Sequence, residues 1–257
     1  MILDKKVIFL KTNDYQVILV CGGLGTRLKH RANDIPKALL EVDGTTLLDH
    51  TIDLYKSNGF TDFVLLIGHL GEEIEKHIEN GNRHGINARY SVEKELLGKG
   101  GALKYALDNK VIHRERPSII AYPDDIILNK EFPRQLVRRH LVGKEKGCTA
   151  TVVRVNKTQN RYGVVYTDDE GFVIDFEEKP YISVPSNVAI YVLEPSVYDI
   201  IDKMVDLDKV PVDFEGKVVP ELVRERLLYS FTIPLESWIP VNEEKEFQQA
   251  EKLLSRR

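Results

Sequence analysis

Apolar residues fall along this chain in two rhythms. Val17-Ile18-Leu19-Val20, the run 63–67 and the run 118–121 are short, apolar and bounded by polar or turn residues. Such runs predict strands buried on both faces. Residues 87–92 predict a further strand. Between the strands the apolar spacing is helical. Leu47, Leu48, Ile52 and Tyr55 predict a helix over 47–58, which Gly59 stops, after an Asp43-Gly44 turn. Residues 72–80 predict a second helix, with Glu72, Glu73 and Glu75 placed to complement its positive N-terminal end. Residues 102–108 predict a third. Strands and helices alternating at this rhythm indicate a parallel α/β sheet. Ligands of such sheets gather beyond the carboxyl ends of the strands.

The pattern changes in the second half. A helix over 132–142 is followed by strands at 149–155, 162–167, 173–177 and 188–193, joined by short turns such as Asp168-Asp169-Glu170-Gly171. These strands are expected to make the sheet mixed and to form a floor for a second substrate. Helices are predicted over 196–204, 219–226 and 243–254. No linker, low-complexity tract or internal repeat interrupts the chain. The expectation is one Rossmann-like, three-layer α/β/α domain over 1–257 with a mixed, mostly parallel central sheet. Residues 1–15 form an N-terminal extension, in which 7–10 could add an edge strand or an oligomer contact.

Composition narrows the function classes. The 257 residues are 42% apolar and 30% charged, with a net charge of −4. Nothing suggests bulk attraction to nucleic acid or an anionic membrane, so any phosphate site must rely on local cations. Cys21 and Cys148 fit no metal spacing and read as small buried apolar residues of strands in a reducing compartment. No uncharged run is long enough to span a bilayer, and residues 1–11 are too charged for a secretory signal. A cytoplasmic protein is expected, with no nucleic-acid or membrane partner and a homo-oligomer left open. His30, His50, His69, His77, His84, His113 and His140 show no zinc-type spacing, and no Ser/His/Asp set can be argued.

The chemistry concentrates where the first strand ends. Cys21-Gly22-Gly23-Leu24-Gly25 lets the backbone turn sharply and lets a ligand approach it closely. Thr26 and Arg27 follow, then Pro36-Lys37. Exposed amides with an Arg and a Lys suit a polyanion such as a triphosphate. The triphosphate P-loop is excluded because no Lys-Ser or Lys-Thr closes the loop, and the dinucleotide fingerprint lacks its last glycine, at Leu28.

What remains, G-G-x-G-T-R-L followed by P-K-A-L-L, resembles the signature of the sugar-1-phosphate nucleotidylyltransferases. These enzymes join a nucleoside triphosphate to a sugar 1-phosphate and release pyrophosphate. Gly22, Gly23, Gly25, Thr26 and Arg27 would then bind the nucleotide, and Arg27 and Lys37 would be catalytic. The stretch Glu93 to Ala102 resembles the family's E-x-x-P-L-G-T-x-G-A, and its wording is closest to heptose- and mannose-1-phosphate guanylyltransferases. Glu93 and Gly98 would face the nucleobase. A carboxylate accepts hydrogen bonds only, which leans towards the N–H-rich edge of guanine and hence GTP. Leu96 and Lys99 depart from the pattern. Lys99 could contact phosphate or simply face water.

The resemblance continues through the remaining motifs. Asp124, after the strand at 118–121, would hold catalytic Mg²⁺, a cation that takes one or two protein carboxylates and fills its other positions with phosphate oxygens and water. Asp125 should point elsewhere. Phe176-Glu177-Glu178-Lys179-Pro180 resembles F-x-E-K-P, making Lys179 the holder of the sugar phosphate and Glu178 a ligand of a sugar hydroxyl. Tyr162-Gly163-Val164-Val165 resembles Y-G-V-V, which puts the Gly163 backbone against the sugar. Asn187-Val188-Ala189-Ile190-Tyr191 resembles N-x-G-I-Y, which puts Asn187 on the sugar ring, with Ala189 in the glycine place. Pro240 stands where many members carry a metal-binding Asp. Asn242, as in the uridylyltransferases of N-acetylglucosamine 1-phosphate, would be the second metal ligand, or else it caps the helix that starts at 243. Two other readings stand beside this one: a cytidylyltransferase for an alcohol or polyol phosphate, and an inactive homologue that binds nucleotide-sugar for regulation.

Overall fold

The computed structural model describes residues 10–22, 28 and 35–255. The proposed extra strand at 7–10 therefore lies almost wholly outside the described residues. Its first elements are β1 (Gln16–Val20), the hairpin β2 (Glu41–Val42) and β3 (Thr45–Thr46), α1 (Leu47–Ser57), β4 (Asp62–Ile67), α2 (Gly71–Ile78), β5 (Asn87–Val92), α3 (Gly98–Asp108) and β6 (Ser118–Ala121). Then follow β7 (Asp125–Ile127), α4 (Phe132–Lys144), β8 (Ala150–Val155), β9 (Thr158–Gln159), β10 (Val164–Thr167), β11 (Val173–Glu177), β12 (Tyr181–Ile182) and β13 (Ser186–Leu193). The chain continues with α5 (Ser196–Met204), α6 (Phe214–Arg224), β14 (Leu228–Ile233), β15 (Trp238–Pro240) and α7 (Glu244–Leu254).

Among the described residues, seven strands form the central sheet in the order β14-β8-β13-β6-β1-β4-β5. Only the pairings of β13 are antiparallel, so the sheet is mixed and mostly parallel. Side chains alternate across it, as strand geometry demands. Val17 and Leu19 of β1 pack on one face with α1, α2 and α4; Ile18 and Val20 pack on the other with α3, α5 and α6. Both faces are covered, which is why β1 and β4 read as continuous apolar runs rather than alternating ones. A smaller cluster joins α7 to Val42, Ile126 and Ile239. The chain runs outward from β1 through β4 to β5, then returns to place β6 on the other side of β1. That reversal makes the carboxyl ends of β1 and β6 the switch point of the sheet, where a crevice opens.

Several elements differ from the sequence reading. The strands expected at 162–167 and 173–177 do not join the central sheet; β10 and β11 pair with each other as a separate ribbon, and β9 pairs with β12. β11 is exposed along its whole length, Ile174 and Phe176 included, as is Phe172 just before it, so the ribbon forms an arm rather than part of the sheet. β14, unpredicted, pairs parallel with β8 at the sheet edge. α3 begins four residues before the expected start, because Gly98 opens it in a left-handed conformation and Gly100 donates to the Val212 carbonyl at 2.8 Å. α6 begins at Phe214, where Asp213 caps it by accepting from the Gly216 N–H at 2.8 Å. Its Pro220 is carried by the buried stripe Phe214, Val218 and Leu222. Cys21 and Cys148 are only part-buried, and both lie just outside strands.

Candidate active site

Two of the predicted site residues come from opposite ends of the chain and meet. Asp124 lies just past β6, in the short connection to β7. Asn242 lies just past β15, which pairs with β7 and brings Pro240 opposite Asp125. The Val241 N–H donates to the Asp124 carbonyl at 2.8 Å and fixes the two segments together. Lys37, in a helical turn over Lys37–Leu39, reaches both side chains: its Nζ donates to Asp124 Oδ2 at 2.5 Å and to Asn242 Oδ1 at 3.0 Å. The Lys37 and Asp124 side chains keep 17% and 28% of their exposure, so the cluster faces the crevice.

Asn242 had a competing reading as a helix cap. Glu243 caps α7 instead, in a capping box with Glu246. Glu246 Oε2 accepts from the Asn242 and Glu243 N–H groups. The Asn242 side chain is thereby left to Lys37. Asp125 points away, as expected of a neighbour on a strand. Its Oδ1 accepts from the Trp238 indole N–H at 2.7 Å. Burial, and then the charge of Asp124, push its carboxyl well above the usual range, which favours the neutral acid.

A second cleft opens beside the ends of β1, β4 and β5, and Gly22, Glu93, Gly98 and Lys99 are among its lining residues. Glu93 leaves β5 with its N–H on the Ile67 carbonyl and packs over Gly22 and Gly68; a Cβ on Gly68 would stand 2.8 Å from Glu93 Oε1. Burial raises the Glu93 carboxyl above its ordinary value, against the partial relief of the Leu97 N–H at 3.4 Å. Gly98 has φ +71°, and a Cβ there would meet the Val212 carbonyl oxygen at 2.6 Å, so only glycine fits. Lys99 lines the same cleft with its side chain partly exposed. It pairs with Glu215 at 3.2 Å and lies 4.9 Å from the centre of the Tyr122 ring. Glu215 and Tyr122 escaped the sequence reading, since nothing local ties residue 215 to residue 99.

Of the sugar-side residues, Gly163, Glu178 and Lys179 lie on the exposed arm and Asn187 lies on β13 of the central sheet. Gly163 lies against Phe176 and Glu178; an added Cβ would approach Phe176 Cζ to 2.5 Å and Glu178 Oε2 to 3.1 Å. Lys179 takes a left-handed φ of 47°, and its Nζ is 3.4 Å from Glu178 Oε1. Asn187 braces the strand instead of standing free. It donates to the Tyr191 hydroxyl at 2.6 Å and accepts from the Ala189 N–H at 2.8 Å. Ala189 has φ +60°, in the left-handed region that glycine occupies most readily. Gly23, Gly25, Thr26 and Arg27 lie outside the described residues.

A sequence profile described as nucleotidyl transferase matches residues 16–255. The chain belongs to the nucleotidyl transferase family. A mannose-1-phosphate guanyltransferase of Pichia angusta is 31% identical over 237 residues, covering 90% of this chain and 61% of that protein. A UTP–glucose-1-phosphate uridylyltransferase of Synechocystis is 29% identical over 252 residues, covering 91% and 62%. This nucleotidyl transferase chain thus spans about three-fifths of the length of those two relatives. Among solved structures, a Bacillus anthracis protein crystallised with sucrose and provisionally named a glucose-1-phosphate thymidylyltransferase superposes with a TM-score of 0.73 at 20% identity, covering 93% of this chain and 94% of that one. HddC of Yersinia pseudotuberculosis, complexed with GMP-PN, gives 0.67 at 21% identity, covering 93% and 99%. At these identities the structural likenesses establish the fold. No helix among the described residues is long and apolar enough to cross a membrane.

Proposed function

We propose that the chain transfers a nucleoside monophosphate from a nucleoside triphosphate to a sugar 1-phosphate, giving a nucleoside-diphosphate sugar and pyrophosphate. The observation that carries this reading is the meeting of Lys37, Asp124 and Asn242 at the switch point of the sheet. Asp124 and Asn242 offer one carboxylate and one amide oxygen already gathered on a single cation, a donor set that suits Mg²⁺. Bound there, Mg²⁺ would neutralise phosphate charge. The family membership and the names of the relatives support the substrate class.

The nucleophile needs no general base. A phosphate monoester loses its second proton near pH ~6, so its oxygen is already anionic at neutral pH. That oxygen attacks the α-phosphorus in line, and the bond to the β,γ-diphosphate breaks as pyrophosphate leaves. The remaining difficulty is repulsion between two polyanions, which makes positioning and charge stabilisation the main work of the protein. Lys37 holds the phosphates near Asp124, Lys179 holds the sugar phosphate, and Gly163, Glu178 and Asn187 hold the sugar. Glu93 and Gly98 receive the base, and the lean is towards guanine. Arg27, with Gly22, Gly23, Gly25 and Thr26, receives the triphosphate and stabilises the leaving pyrophosphate. A matrix of triphosphates against sugar 1-phosphates in Mg²⁺, read by pyrophosphate release, tests the reading. Release with GTP and a hexose or heptose 1-phosphate is expected; release with UTP alone rejects the guanine assignment. Release only with CTP and a polyol phosphate, or none at all, overturns the function.

A further inference from the structure

Three part-buried side chains that no sequence spacing connects meet near the start of α1 and the end of α2. Asp49 sits in the first turn of α1, His77 in the last turn of α2, and His84 at the end of the helical turn Asn82–His84. Gly81 and Gly85 flank that turn, both with left-handed φ, and fold it back so that the two imidazole rings lie 5.6 Å apart. His77 Nε2 is 2.9 Å from Asp49 Oδ2, and His84 Nδ1 is 3.4 Å from Asp49 Oδ1. One ligand atom from each residue falls within 4.8 Å of the others.

We propose that Asp49, His77 and His84 form a second metal site, built for a zinc-class divalent ion and separate from the magnesium seat. The donor chemistry sets the class. Two imidazoles and one carboxylate suit zinc and its first-row neighbours, whereas magnesium takes oxygen ligands. Bonds of about 2.0–2.1 Å in a tetrahedron place neighbouring ligand atoms ~3.3 Å apart, a separation that the three groups, already within 4.8 Å of one another, reach by small side-chain rotations. Asp49 supplies a second observation. Its Oδ1 is buried and has no hydrogen-bond partner among the described residues, a state that costs stability unless something takes the lone pairs. Its Oδ2 is already oriented by the Thr46 hydroxyl at 2.7 Å, the outer hydrogen bond that metal-binding carboxylates commonly carry. The three side chains keep 18–31% of their exposure, so water completes the fourth position. Loading the site ties α1 to the end of α2. Two residues further along α1, the Thr51 hydroxyl stands 3.5 Å from the Pro123 carbonyl beside Asp124, so the helix that carries Asp49 also touches the proposed catalytic segment.

The test uses the full chain, freed of metal by a chelator and dialysed against Zn²⁺ in excess Mg²⁺. Elemental analysis should find about one zinc per chain, and Tm should rise about 5–10 °C at zinc a hundredfold above its dissociation constant. Co²⁺ should give the visible absorption of a four-coordinate site without a thiolate band. His84→Ala, in a surface turn, and His77→Gln should each lose the bound zinc and the Tm rise. Cys21→Ser should keep both. Zinc retained by the two histidine variants, zinc lost from Cys21→Ser, or a wild-type chain that takes up neither ion overturns the proposal.

Discussion

Replacing Lys37 with methionine keeps the stem of the side chain and removes its ammonium. In the proposed reaction that ammonium binds phosphate, and in the structure it holds the oxygens of Asp124 and Asn242 at 2.5 and 3.0 Å, so the two tasks compete. A hydrogen bond to a charged group contributes roughly 1.5–3 kcal/mol net, and part-exposure of both partners places this one near the lower end. Freed of it, Asp124 and Asn242 should take Mg²⁺ more readily by about 1.4 kcal/mol, or about tenfold. Loss of a preorganised cation should lower kcat by about 10²–10³. Lys37→Met should therefore combine a fall in kcat with a fall in the Mg²⁺ concentration giving half-maximal rate. The assay is pyrophosphate release across a Mg²⁺ series, with thermal denaturation in EDTA to show that the fold is kept. Asp124 can hydrate in the variant, so Tm should move by only a few degrees. An unchanged kcat, or a Mg²⁺ requirement that rises, would refute the reasoning.

Three further substitutions test the scaffold. Gly98→Ala forces a left-handed alanine, at about 1–2 kcal/mol, and drives its Cβ into the Val212 carbonyl, for a total of about 2–4 kcal/mol and a Tm drop of about 5–15 °C; an unaltered Tm contradicts this. Ala189→Gly relieves a left-handed φ at slightly greater gain than glycine's entropic cost, so denaturant unfolding should show about 0.5 kcal/mol of added stability, and a loss counts against the strain at that position. Glu194 is raised by burial, but hydrogen bonds from His140 and Lys144 outweigh that and hold its carboxyl below the usual value. A carboxyl lower in the folded than in the unfolded state adds stability above its unfolded pKa and loses it as pH falls through its folded one. Glu194→Gln should thus lose about 1–2 kcal/mol at neutral pH, with the gap to wild type narrowing below pH ~4.5; a gap indifferent to pH would reject the linkage.

The sequence by itself determined what depends on neighbours along the chain. The apolar run of β1, the Asp43-Gly44 hairpin turn with both residues at positive φ, and the bounds of β5, β6, β11 and α5 follow from local sterics and spacing. The places of Asp124 past β6 and Glu93 past β5 follow as well, because the strand ends are themselves local signals. The tertiary structure alone decided which distant groups share a space. Asn242 could be read as a cap until the capping box at Glu243 released its side chain to Lys37, 205 positions away. Ala189 stands where the family motif has glycine, and only the structure shows that its backbone takes a left-handed φ that favours glycine. β14 and the separate β10–β11 ribbon depend on which edge accepts a strand, and Asp49 meets His77 and His84 only once α1 packs beside α2. Local propensity acts over a turn or a strand, whereas these meetings are set by how whole elements bury their faces, an outcome no short window of residues contains.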